Sequence, residues 1–175
     1  MKLSEAVNKG ANILKKNNIP SFFLDSEILI GKILNKKREF IILNQNLEIQ
    51  KNDYSKYLSL IQKRSTNTPL AYLIKSKDFW KNKFYVDNRA LIPRPDTEII
   101  IEEVLSILGK KKINNFLEIG VGSGCIVLSI LNEINCLKAT GIDISQKALE
   151  VCKINSKRLG LNSRIKLYKS DIDKF

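Results

Sequence analysis

Histidine is absent from this 175-residue chain, and its three cysteines, Cys125, Cys136 and Cys152, form no C-x-x-C pair. The lack of imidazole and of paired thiols argues against a zinc site or any other metal site, and an odd cysteine count argues against a disulfide framework. Reduced thiols in a cytoplasmic protein are the simplest account. Long apolar runs are missing too. No stretch approaches the ~18–20 apolar residues of a membrane span, and charges are scattered through MKLSEAVNKGANILKK, where a leader would need to be apolar. There is no internal repeat and no low-complexity tract.

What is present is the composition of a globular chain: 43% hydrophobic and 27% charged residues, with 8 Gly and 4 Pro. The length suits one ordinary domain or two small ones. Thirty basic against 18 acidic side chains give a net charge of +12, which favours acidic partners, nucleic acid among them. The excess is spread evenly along the chain, so a solvated basic surface explains it as well, and direct nucleic-acid binding stays open.

Residues 1 to about 70 read as a small helical domain. Leu3, Ala6, Val7, Ile13 and Leu14 fall near one helical face, and Tyr54, Tyr57, Leu58 and Ile61 repeat the spacing. The asparagine-rich breaks at 17–20, 35–37 and 44–46 separate the helices. Residues 71–109 read as a connector. In it, two apolar runs about Asp87-Asn88 suggest a hairpin over 84–92, and Pro93 and Pro95 stop the second strand. A helix over 99–108 follows, ended by Gly109. From 110 onward strands at 116–119, 139–142 and 164–168 alternate with helices at 125–131 and from Ser145 to about 157. That β-α-β-α-β order is the first half of a doubly wound α/β sheet.

Chemistry concentrates at Glu118-Ile-Gly120-Val121-Gly122-Ser123-Gly124, between the first strand and its helix. Glycines allow a sharp turn and close approach of a ligand to the backbone. A dinucleotide fingerprint needs G-x-G-x-x-G, and Cys125 occupies its last glycine position. An acid just before the first glycine repels a pyrophosphate but suits a cationic ligand such as S-adenosylmethionine, with its sulfonium and ammonium groups. Local capping is the alternative role for Glu118. Asp143 closes the second strand, where it can accept from ribose hydroxyls or serve as a turn acid before Ser145. Asp171, after the third strand, can accept from the adenine amine or be a surface acid.

Three tracts, Thr68-Pro-Leu-Ala-Tyr-Leu73, Asp78-Phe-Trp80 and Leu91-Ile-Pro-Arg-Pro-Asp-Thr-Glu98, complete a resemblance that runs over the whole chain. The sequence resembles the release-factor glutamine methyltransferases of the HemK or PrmC type. The resemblance implies a helical substrate-recognition domain, a hairpin linker and an incomplete Rossmann-like S-adenosylmethionine-dependent methyltransferase domain. It also implies that Gly120, Val121, Gly122, Ser123 and Gly124 wrap the methionine part of the cofactor, that Asp143 holds the ribose, and that Asp171 and Ile172 frame the adenine. Arg94, Thr97 and Glu98 would lie near the cofactor's amino-acid end, or form a connector stiffened by prolines.

Lys75 stands where relatives usually have glycine, and Ile172 where an aromatic residue often packs on adenine. The sequence has no Asn-Pro-Pro-Tyr motif, which in the family holds the target amide, so no catalytic residue is expected in this chain and little turnover by it alone. The expected reaction is methylation of a glutamine amide in a release factor. The alternatives are a nucleic-acid amino-methyltransferase and a release-factor-binding module without catalysis.

Overall fold

The computed structural model describes residues 1–108 and 113–174. It divides into two compact units, Met1–Ile74 and Lys75–Phe175. Gly109, expected to end a helix, and the expected domain start at 110 lie outside the described residues.

The first unit is helical: α1 (Leu3–Lys16), α2 (Phe22–Leu34), α3 (Arg38–Leu43), α4 (Lys51–Ser65) and α5 (Leu70–Ile74). The buried face of α1, Leu3, Ala6, Val7, Gly10, Ala11 and Leu14, contains four of the five residues read from the sequence as one stripe, and the fifth, Ile13, is partly buried beside it. Asparagines do end helices here. Asn18, Asn35 and Asn67 all adopt positive φ, at 57°, 52° and 63°, a conformation asparagine tolerates because its short amide bonds locally.

Two buried polar groups fix how these helices pack. The Ser26 hydroxyl donates to the Val7 carbonyl at 2.7 Å and lies 2.6 Å from the Tyr57 hydroxyl, so Tyr57 donates to Ser26. A Cβ on Gly10 would fall 1.8 Å from that Tyr57 oxygen, so α1 reaches the ring only because residue 10 has no side chain. Arg64 donates from Nε to the buried Asp25 carboxylate at 2.7 Å and from a terminal nitrogen to the Thr68 carbonyl at 3.2 Å. The pair thereby fastens the start of the Thr-Pro-Leu-Ala-Tyr-Leu tract.

The second unit opens with a hairpin of β1 (Lys77–Phe79) and β2 (Asn82–Phe84). This corrects the expected hairpin over 84–92. Residues 85–92 form no strand, because Asp87 folds the chain back by accepting from the Arg89 backbone at 3.0 Å and from its guanidinium at 2.9 Å. The true turn, at Trp80, carries a φ of 53° without glycine. Remote partners hold it: the Trp80 backbone donates to Glu98 at 2.8 Å and its indole to Glu133 at 2.7 Å. Phe79 and Phe84 meet edge to face at 6.1 Å and enter the same core as Ile101, Leu128 and Ile130.

After a 3₁₀ turn (Pro95–Thr97) and α6 (Glu98–Leu108), the chain alternates through β3 (Asn115–Ile119), α7 (Cys125–Glu133), β4 (Lys138–Asp143), α8 (Gln146–Arg158) and β5 (Ile165–Lys169). The three strands are parallel in the order β3-β4-β5, with Glu118 beside Gly141 and Asp143 beside Lys169. This is the Rossmann-like half-sheet expected. Parallel pairing brings the C-terminal ends of all three strands to one edge of the sheet, where α/β folds place ligands. Among the described residues no helix is long and apolar enough to cross a membrane.

Candidate functional site

The glycine loop crosses from β3 to α7 at that edge. The Gly120 and Val121 N–H groups donate to the Ile142 carbonyl at 2.8 and 3.0 Å, and Gly124 donates to the Val121 carbonyl at 2.7 Å. Gly122 donates to the Asp143 carboxylate at 2.8 Å. These four backbone donors are therefore committed inside the protein.

Gly120, Gly122 and Gly124 have φ of 75°, 53° and 80°, values that side chains with a Cβ resist. Their surroundings differ. Nothing lies within 4 Å of a Cβ built on Gly120, whereas one on Gly124 would meet Cys152 Sγ at 2.6 Å and Leu128 at 2.9 Å. The front of the loop is open and its back is packed.

Glu118 lies half-buried on β3. One carboxylate oxygen accepts from the Val127 N–H of α7 at 2.8 Å, so Glu118 does cap a helix locally. That bond satisfies one of the first N–H groups of α7 and sets a carboxyl at the positive helix end. Among the described residues no cation pairs with Glu118. Burial pushes its pKa up to about 8, against the lowering effect of the Val127 bond and with a further push from Asp143. A carboxyl group in this state favours a cationic partner that restores its charge.

Asp143 also serves the local backbone. One oxygen accepts from Gly122 and the other from Ser145, each at 2.8 Å. A carboxylate has about four acceptor sites, so two bonds leave capacity for a ligand's hydroxyls. The Asp143 carbonyl accepts from the Ser170 N–H at 3.2 Å, which ties the end of β4 to the residue before Asp171. Asp171 and Ile172 are exposed just beyond β5. The loop, Glu118, Asp143 and Asp171 thus share one edge. Among the described residues Arg94, Thr97 and Glu98 make no hydrogen bond or ion pair with the loop, and Glu98 holds the Trp80 turn.

Burial pushes the Cys125 and Cys152 thiols up to about 11 and 12, so they pack as small apolar groups rather than as nucleophiles. Asn155 is the residue that sequence reasoning missed. It is fully buried on α8 and accepts from the Tyr85 N–H at 2.7 Å. It also donates to the Tyr85 carbonyl at 3.0 Å and to the Ser123 carbonyl at 2.9 Å. A signal existed: Asn155 continues the buried stripe of Ala148, Val151 and Cys152, where an amide is out of place unless it has partners.

A glycine loop after the first of three parallel strands, an acid before it and an acid closing the next strand define a methyltransferase domain. A methyltransferase domain family matches residues 110–175, and the PrmC N-terminal domain family matches residues 5–74. Among similar curated proteins are the release factor glutamine methyltransferases of Clostridium acetobutylicum, 35% identical over 98% of this chain and 60% of the relative, and of Leptospira interrogans, 37% identical over 95% and 59%. That of Buchnera aphidicola subsp. Schizaphis graminum is 38% identical over 79% of this chain and 50% of the relative. The chain is thus similar over most of its length to release factor glutamine methyltransferases, with a PrmC N-terminal domain and a methyltransferase domain, and it spans 50–60% of the length of these relatives.

Proposed function

We propose that this chain binds S-adenosylmethionine at the 120–124 loop and that the reaction it serves is methyl transfer to a glutamine side-chain amide of a peptide-chain release factor. The observation that carries this reading is the loop's electrostatics. The N–H groups of Gly120, Val121, Gly122 and Gly124 are committed and Glu118 sets a carboxyl at the start of the helix behind them, so the loop suits a phosphate poorly. The Glu118 carboxyl, without a cation among the described residues, suits the cofactor's α-ammonium group.

In this reading the chain's residues bind and orient the cofactor, which supplies the methyl group when bound. Glu118 receives its ammonium group. The open front of Gly120 and Gly122 admits the methionine part, with Val121, Ser123 and Gly124 holding the loop's shape from behind. Asp143 accepts from the ribose, and Asp171 and Ile172 border the adenine. Arg94 and Thr97 remain available to the amino-acid end, whereas Glu98 is used by the hairpin. The helical domain of residues 1–74 recognises the release factor, the substrate that the relatives' names give for those proteins. Unpaired cysteines support a cytoplasmic setting.

Calorimetry tests the cofactor part with S-adenosylhomocysteine, which keeps the ammonium and nucleoside, against NAD. Saturable binding of the former and none of the latter is expected. The reverse preference would overturn the reading.

A further inference from the structure

Asn155 joins three segments that are far apart in sequence: α8, the glycine loop and the stretch leaving the hairpin. Two carbonyls and one N–H face its amide, so both its donors and its acceptor are used and its orientation is determined. From Tyr85 the chain runs along α8 toward that helix's start. The Tyr85 hydroxyl donates to Asp87 at 2.8 Å. Arg89, held by Asp87, donates to Glu150 at 2.8 Å, and Ala90 packs with Ala148 and Val151. The Arg89 guanidinium holds the Asp87 carboxyl well below the usual carboxylate range, so this clasp stays charged at any physiological pH. The start of α8 is capped by Ser145, which accepts from Ala148 at 3.2 Å and donates its N–H to Asp143. The Pro-Arg-Pro tract therefore leaves α8 near the end that carries the loop's own anchor.

We propose that Asn155 is a positioning residue that couples the 120–124 loop to residues 85–89, so that filling the loop and ordering the segment that leads to the Pro-Arg-Pro tract are one event. Its amide passes any shift of the Ser123 carbonyl directly to the Tyr85 backbone. A cofactor settling on the loop then tightens the segment, and a loosened segment weakens the cofactor's hold. The coupling rests on the reading of the loop as a cofactor site.

The test follows backbone hydrogen exchange and S-adenosylhomocysteine affinity in the 175-residue chain, in Asn155→Ala and in Asn155→Asp. Asn155→Asp keeps the side chain's volume and the acceptor for Tyr85 but removes both donors. In the unaltered chain, ligand is expected to slow exchange at residues 85–89 as well as at 122–124. In either folded variant affinity should fall about tenfold or more, and residual binding should protect the loop without protecting residues 85–89. A residue that merely stabilised the fold would lower the melting temperature while leaving affinity and the linked protection intact below it. Two results would overturn the coupling alone: ligand bound to the unaltered chain without slowing residues 85–89, or a folded variant in which both segments are still slowed together. Absence of any ligand binding to the unaltered chain would overturn the cofactor reading and the coupling with it.

Discussion

Replacing Glu118 by Gln should make the ligand-free protein more stable and a worse binder. In the folded state the Glu118 pKa of about 8 lies above its ordinary 4.5, so the folded protein holds that proton more tightly than the unfolded chain does. The stability contributed by the protonated group is complete below about pH 4.5 and is lost as the pH rises toward 8. Full exclusion of water would make the loss about 5 kcal/mol, and the partial exposure of Glu118 brings it to about 2–3 kcal/mol. Glu118→Gln keeps the oxygen that accepts from Val127 and never carries the charge. Its ligand-free stability should therefore lie about 1–2 kcal/mol above the parent near neutral pH, raising the second unit's melting temperature by about 5 °C or more. The two proteins should converge toward pH 5. The same change removes a charge-assisted bond to the ligand's ammonium and should weaken S-adenosylhomocysteine about 10–100-fold. Melting at pH 5, 6, 7 and 8, paired with calorimetry, reads both effects. A variant less stable than the parent at pH 7, or a parent whose stability does not decline between pH 5 and 8 relative to it, would refute the claim that Glu118 is a carboxyl group held neutral until a cation restores its charge.

Asp143→Ala should weaken S-adenosylhomocysteine by about 1–3 kcal/mol, since it deletes a carboxylate expected on the ribose and also frees the Gly122 N–H; unchanged affinity in calorimetry would remove Asp143 from the site. Lys75 holds a φ of 58°, so Lys75→Gly should raise stability by about 0.5 kcal/mol, measured by urea unfolding, as relief of backbone strain outweighs glycine's added unfolded-state entropy; a clear loss would show that the Lys75 side chain contributes. β3 pairs with β4 on one side, no described strand covers the other, and Leu117 and Ile119 are 46% and 51% exposed. An open apolar edge is a template for association, so the 175-residue chain should sediment as concentration-dependent oligomers that Leu117→Lys reduces. A monomeric, sharply melting chain would count against it.

The helical stripe of α1, the asparagine stops and the β-α-β-α-β order were legible in the sequence because each is set by neighbours within a few positions. Periodicity, side-chain size and the asparagine amide act locally. The glycine loop was legible for the same reason, and so was the acid before it. The hairpin was not. Its turn at Trp80 has no local turn residue, and it stands on Glu98 and Glu133, 18 and 53 positions away. The apparent turn at Asp87-Asn88 is instead closed into a clasp by Arg89. Nor could the sequence show that the loop's amides are turned inward onto Ile142 and Asp143, or that Asn155 binds the loop to Tyr85. Those facts depend on which atoms parallel strand pairing and helix packing bring within hydrogen-bond reach. The chain's own order determined that a glycine loop flanked by acids would form at the end of β3. Only the tertiary structure decided that this loop presents an uncompensated carboxyl while four of its backbone donors turn inward, because burial and distant partners set both.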